Sequence, residues 1–257
     1  MYGKAIKTHK IAPGKATLIA VLDRYLKKIP EGSVLAVTSK IVSICEGRVV
    51  SPFPKGRGPR AVRDFKIELI KKHTQWYLDP KKNPYNITLT ITNNLLVPTA
   101  GIDESNSAGY YVLWPRDAQK TANEVREHFV KKFGLRRFGV IITDSRTTPM
   151  RYGTTGFSIA HSGFVGLNNY IGKPDIFGRK MKVTKANMMD ALGATAVLLM
   201  GEGNECTPLA LMTDLPFVQF QKRNPTSAEL RGLKISMKKD LYAPLLKSAP
   251  WKKGRKS

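Results

Sequence analysis

The chain has 257 residues, 42% hydrophobic and 24% charged, enough to bury a core without a structural metal or cross-links. Two cysteines, Cys45 and Cys206, and four scattered histidines give neither a disulfide framework nor a zinc quartet, so a reducing cytoplasm is the expected location. The 43 Lys and Arg against 19 Asp and Glu leave a formal charge of +24. Such a field attracts anions, and its sign is shared by lysine-biased proteomes, nucleic-acid binders and proteins that take phosphorylated or multiply carboxylated small molecules.

Along the chain, Leu18, Leu22, Tyr25 and Ile29 recur at helical spacing until Pro30 and Gly32 stop them, and Val34 to Val37 then extends as a strand. A helix is expected from about Ala61 to His73. Ile87, Leu89 and Ile91 alternate with threonines, the period of a half-buried strand, and "PTAGIDESNSAGYY" reads as a loop too polar for a core. Asp117 is an N-cap for the helix of Ala122, Val125 and Phe129, and Gly134 ends it. Strand Phe138 to Thr143 follows at once.

The Gly, Thr, Ser and Asn-rich stretch from Ser145 to Arg179 is too long for a structureless loop and is expected to be functional and to conceal short strands. A helix over Lys185 to Met200, the strand "PLALMT" and a basic, frayed end complete the pattern. Helices and strands mix without strict βαβ alternation, so an α+β fold is expected. No apolar run approaches the roughly 18 to 20 residues that cross a bilayer, and the N-terminal run scatters lysines where a signal peptide needs an apolar core. No membrane partner is expected.

Three polar clusters interrupt apolar elements: "GIDESN" at 101–106, "TDSRTTPMRYG" at 143–153 and "GEGNECTP" at 201–208. A carboxylate at the mouth of a buried strand is costly to desolvate unless a cation meets it. Asp103, Asp144 and Glu205 with the Ser145 hydroxyl form an oxygen-rich set suited to Mg²⁺ or Mn²⁺; the alternative is that the two aspartates cap turns or pair with Arg146 and Arg151. His161 reads as a hydrogen-bonded structural histidine. The chain lacks a P-loop and a GxGxxG fingerprint, so a nucleotide would need another cradle, and the candidates are the "APGK" turn with Lys15 and the backbone around Gly201 and Gly203.

The runs "TSKIVSICEGRVV", "AGIDESN", "VIITDSRTTPMRYGTTGFSIAHSG" and "GKPDIFGRKMKVTKANMMDALGATAVLLMGEGNECTP" resemble, in order and spacing, the coenzyme F420 glutamyl ligase family over about residues 5 to 220. The resemblance implies an F420 ligase-like α+β fold, an intertwined homodimer, and a GTP- or ATP-dependent ligase that uses two divalent cations, Mg²⁺ or Mn²⁺, to add L-glutamate through a γ-linkage. It implies a ligase domain over 1–221 and a basic C-terminal extension over 222–257. Asp103 matches a metal aspartate and Asn106 a nucleotide contact, Asp144 and Ser145 match the metal pair, and Glu205 falls in the nucleotide and metal loop. Pro13, Gly14, Ser39 and Lys40 fall in the N-terminal nucleotide-contacting segments.

The departures concern the acceptor. Family members making the deazaflavin coenzyme tend to read "SKAEGR", "GRPWR" and "AIGxAG", where this chain has "SICEGR", "TTPMR" and "SIAHSG"; Ile44 thus stands where the family has a nucleotide-contacting lysine, with Lys40 nearby. A reduced folate, an anionic pterin, is therefore weighed beside the deazaflavin F420-0. The implied mechanism passes through an acyl phosphate, with Arg151 and Arg179 as anion-recognising forks in catalysis and Arg48 as a further candidate. Two rivals are a nucleic-acid-binding protein that keeps the scaffold without catalysis, which the +24 charge and the basic tail motivate, and another ATP-grasp-like or transferase activity on a phosphorylated substrate.

Overall fold

The computed structural model describes residues 1–51 and 58–256. Its strands are β1 (Tyr2–Ile6), β2 (Ser33–Thr38), β3 (Val49–Val50), β4 (Trp76–Tyr77), β5 (Leu89–Thr92), β6 (Leu95–Pro98), β7 (Tyr111–Val112), β8 (Phe138–Arg146), β9 (Thr155–Ser162), β10 (Leu167–Asn169), β11 (Lys185–Asn187), β12 (Leu209–Thr213) and β13 (Lys252–Lys253). The helices are α1 (Leu18–Tyr25), α2 (Ser39–Cys45), α3 (Pro59–His73), α4 (Ala118–Phe133), α5 (Met188–Met200), α6 (Ser227–Gly232) and α7 (Ala243–Ser248).

The main sheet runs β1-β12-β2-β8-β9. Its one parallel pair is β2 with β8, and the other pairs are antiparallel. This is the expected α+β mixture. Alternate residues of β2 and β8 feed two cores: Leu35, Val37, Val140 and Ile142 meet α1 and α4 through Leu22, Val125 and Phe129, while Val34, Ala36 and Ile141 meet α5 through Leu192, Ala196 and Met200. Burial on both faces is why these strands read as unbroken apolar runs.

Local signals explain most boundaries. Asp117 caps α4 by accepting from the Lys120 amide at 2.9 Å, and Gly134 closes it in the left-handed region at φ 66. The first helix is shorter than its periodicity, ending at Tyr25, although Ile29 still packs into the core. The last predicted helix begins later: residues 185–187 pair with β10, and Asn187 caps α5 by accepting from the Asp190 amide at 3.1 Å.

Two expectations are corrected. In β5 the two-residue period is right and the face is reversed, since Thr88, Thr90 and Thr92 are buried and Ile87 is 46% exposed. Their hydroxyls make that possible: Thr90 Oγ1 donates to the Val97 carbonyl at 2.7 Å and Thr92 Oγ1 to Thr74 Oγ1 at 3.0 Å. The basic end is ordered through Lys256: β13 adds to β4, and the amides of Gly254 and Arg255 donate to the carbonyls of Gln75 and Lys71, each at 2.7 Å. Ser257 lies outside the described residues. Among the described residues no helix is long and apolar enough to cross a membrane.

Candidate active site

The parallel pairing decides where the polar side chains emerge. Thr38 is opposite Thr143, so Ser39 and Lys40, which open α2, leave the sheet beside Asp144 and Ser145. Carboxyl ends of adjacent parallel strands are where α/β sheets commonly place ligands. The β8–β9 register also shifts between Ile142 and Thr143, with the extra residue, Ile159, on β9, so β8 runs on past the point where its neighbour bulges. A strand buried through Thr143 can thereby present Asp144 and Ser145 at its end.

Asp144 is set into this end with part of its surface open. Its Oδ1 accepts from the Ser145 amide at 2.8 Å, its Oδ2 accepts from Trp114 Nε1, and the Ser39 hydroxyl also donates to it. Burial pushes its pKa up to about 6, assisted by the negative charge of Asp103 and opposed by these hydrogen bonds. Asp103 is held in place by backbone bonds with Val112 in both directions. Lys40 Nζ lies 2.7 Å from its Oδ2, and the Ser105 amide and hydroxyl donate to its Oδ1 at 2.7 and 2.8 Å. Burial would raise the Asp103 pKa; the Lys40 charge and these bonds outweigh it and hold the carboxyl below its ordinary value.

The third cluster joins from the other side. Asn106 Nδ2 donates to the Gly203 carbonyl at 2.7 Å, and Ser145 Oγ donates to Glu202 Oε2 at 3.2 Å. Glu205 turns back onto its own loop, accepting from the Gly203 amide at 2.9 Å and filling the space over Gly201. The loop is tied to the N-terminal segment by the Thr8 amide, which donates to the Cys206 carbonyl at 2.8 Å. Pro13 and Gly14 lie farther along that segment, and among the described residues no hydrogen bond links either to the carboxylates.

Arg151 and Arg179 are exposed, one between β8 and β9 and the other between β10 and β11. Among the described residues neither side chain makes an ion pair or hydrogen bond with the cluster. The arginine-pairing alternative fails for the two aspartates among the described residues: Asp103 meets Lys40, and Arg146 pairs with Asp190 at 3.4 Å while lying over the Phe157 ring. His161 is a core residue beside Phe164 whose Nδ1 has no hydrogen-bond partner among the described residues.

Sequence reasoning missed Trp114, Ser105 and Glu202. Trp114 had a usable signal, because an indole N–H in an apolar run needs an acceptor when buried. Glu202 and Glu205 stand three residues apart in a glycine loop, and only the loop's path decides which one meets Ser145.

Among the described residues no three His, Cys, Asp or Glu side chains converge on one point as a metal cluster. Two carboxylates and the hydroxyls of Ser39 and Ser145 nevertheless form an all-oxygen donor set, and Asp144 is a half-buried carboxylate without an ion-pair partner among the described residues. That combination fits a hard divalent cation that completes its coordination with phosphate oxygens and water.

Residues 5–214 match the family model described as F420-0:Gamma-glutamyl ligase. The chain is similar to the coenzyme F420:L-glutamate ligase of Methanopyrus kandleri, 32% identical over 80% of this chain and 83% of that protein. It is also similar to the enzyme of that name from Halorubrum lacusprofundi, 31% identical over 84% of this chain and 88% of the relative, and to that from Archaeoglobus fulgidus, 31% over 73% and 78%. The extent of these matches, together with Asp103, Asn106, Asp144 and Ser145 at one end of the sheet, shows that the chain belongs to the F420-0:gamma-glutamyl ligase family.

Proposed function

We propose that this γ-glutamyl ligase activates the carboxylate of a cofactor with GTP or ATP and joins it to L-glutamate. The observation that carries the reading is the pair Asp103 and Asp144, the first bridged to β7 and the second on β8 where its parallel pairing with β2 ends, with Lys40 beside Asp103 and burial raising the pKa of Asp144. When bound, Mg²⁺ or Mn²⁺, two per site, supplies positive charge against the phosphates. Asp103, Asp144, Ser39 and Ser145 would hold it.

In the first step an acceptor carboxylate oxygen attacks the γ-phosphorus, the bond to the β-phosphate oxygen breaks, and an acyl phosphate and nucleoside diphosphate result. The glutamate amine then attacks the acyl carbon, loses a proton, and inorganic phosphate leaves. Lys40 is placed to meet a phosphate from the Asp103 side. The loop of Gly201 and Gly203, pinned by Asn106, lets a nucleotide approach its backbone closely, and groups held in place in this way stabilise the charge that moves during transfer. Arg151 and Arg179 stand on projecting segments from which they would reach an anion as substrates bind.

The acceptor is a reduced folate or F420-0. The family's description points to the second, and "TTPMR" and "SIAHSG" in place of the coenzyme-type runs support the first. A homodimer is supported by Met150, Tyr152, Ile176 and Phe177, which are exposed on the segments carrying the two arginines; apolar surface of this kind marks an interface that a second copy would cover.

Mass spectrometry of the protein incubated with L-glutamate, both metals, GTP or ATP, and separately tetrahydrofolate or F420-0, tests the reading. One acceptor should gain a glutamyl increment, and Asp144→Asn should lose at least about a hundredfold of that rate, the scale expected when a group central to charge stabilisation is removed. No increment with either acceptor, or an unchanged rate in the variant, contradicts it.

A further inference from the structure

Trp114 has a second neighbourhood. Besides donating to Asp144, it forms part of the wall of a cleft of about 280 Å³ where Arg48, Lys72, His73, Arg116 and Lys256 converge, with no carboxylate among the described lining residues. The cations come from separate places: the turn after α2, the last turn of α3, the approach to α4, and the tail. Among the described residues none of Arg48, Lys72, Arg116 and Lys256 pairs with a carboxylate.

Their positions are fixed by the fold. Arg48 Nε donates to the Trp114 carbonyl at 3.2 Å, and the Lys256 amide donates to the Thr74 carbonyl at 3.2 Å. Glu46 is near enough to attract Arg48, but its oxygens accept from the Arg116 amide at 2.8 Å and the Thr121 hydroxyl at 3.3 Å. Like charges therefore crowd a partly enclosed space. Burial and then their neighbours' charges lower the pKa of Arg48, His73 and Lys256, with Glu46 opposing for Arg48. Such crowding is unfavourable until an anion enters.

We propose that this cleft is an anion subsite for a small molecule bearing phosphate or carboxylate groups, and, resting on the ligase reading, that it holds the charged tail of the acceptor beside Asp144. Both acceptor types carry an anionic group close to the reacting carboxylate. The arginine forks suit phosphate or carboxylate oxygens, and the enclosed volume suits a compact anion. The tail has a role in this arrangement, because Lys256 completes the cationic wall.

Titration calorimetry on the full chain, without nucleotide or divalent metal, tests the subsite with inorganic pyrophosphate and with tricarballylate. Wild type should bind, the double variant Lys72→Gln/Arg116→Gln should bind about tenfold or more weakly, and Lys131→Gln, on the exposed end of α4, should bind as wild type does. Both substituted positions in the double variant are at the surface, and thermal melts check that it folds. Equal binding by wild type and double variant, or no binding by wild type, overturns the subsite. If a short single-stranded oligonucleotide displaces pyrophosphate far below the tricarballylate concentration that does so, the small-molecule assignment falls.

In glutamyl transfer the double variant should raise the acceptor KM about tenfold with the nucleotide KM unchanged. An unchanged acceptor KM overturns the acceptor assignment. Pyrophosphate binding that is lost in the double variant, in a wild type that transfers no glutamate, upholds the anion subsite and overturns the ligase reading instead.

Discussion

Asp144 and His161 show how differently an ionisable side chain half-open at a strand end and one packed in the core can be used. Asp144 keeps three hydrogen-bond donors and a charge that a cation can meet. His161 is packed against Phe164 in the core, and burial pushes its pKa down to about 4, with Glu229 opposing. Its folded pKa lies below the ordinary 6.5, so as pH falls the unfolded chain takes the proton first. The stability it permits is fully present above about pH 6.5 and is lost as pH falls toward 4. Urea denaturation should show wild type losing about 2 to 3 kcal/mol from this group between pH 7 and 4.5. His161→Leu should lack that component. Asp144 works in the opposite direction over the same range, since its raised pKa favours the folded state as pH falls through 6, so the comparison between variant and wild type isolates the histidine. Equal pH slopes in the two proteins would contradict the assignment. In the sequence, His161 was legible as a structural residue but not as the hydrogen-bonded one expected, since its Nδ1 has no partner among the described residues. The role of Trp114 was not, because its acceptor lies 30 positions away and only the fold brings them together.

The elements were most legible where local chemistry and packing agree. Asp117 and Gly134 bracket α4 as their types predict, and β2 and β8 were plain as apolar runs. Strand β9 was hidden in the Gly and Thr-rich stretch because Ser158, His161 and Ser162 occupy buried positions that periodicity reads as polar. The Ser158 amide and hydroxyl are satisfied by α5, through Asp190 Oδ1 at 3.1 Å and the Met189 carbonyl at 2.8 Å. The same contact explains Gly193. A Cβ there would lie 2.6 Å from the Phe157 carbonyl carbon and 2.8 Å from the Ser158 nitrogen, both backbone atoms that cannot move aside cheaply. Gly193→Ala should therefore destabilise by roughly 2 to 3 kcal/mol despite alanine's better helix propensity. Equilibrium unfolding checks this, and a neutral or stabilising result would mean that α5 does not sit so close to β9.

At the scale of the whole molecule, the sequence predicted a sheet with helices packed on it and showed the three polar clusters, but not the way its basic end closes on the small sheet β13-β4-β5-β6. That closure depends on partners more than 170 residues away: Lys252 meets Asp79 at 3.1 Å and Arg255 meets Glu68 at 2.9 Å. Exposed ion pairs contribute little individually, so the backbone bonds of Gly254, Arg255 and Lys256 carry most of the attachment. Removing residues 250–257 should lower the thermal midpoint by about 2 to 6 °C, as a loss of 1 to 2 kcal/mol does in a domain of this size. An unchanged midpoint would show that the tail is not attached in solution.

The central claim is that the end of β8 activates a carboxylate by phosphoryl transfer. The most direct measurement uses acceptor labelled with oxygen-18 in its reacting carboxylate, with mass analysis of the phosphate released as glutamate is joined. The account predicts one labelled oxygen in each phosphate from wild type, and loss of that product in Asp144→Asn. Unlabelled phosphate accompanying normal glutamyl transfer would contradict it, because the carboxylate would then never have bonded to phosphorus.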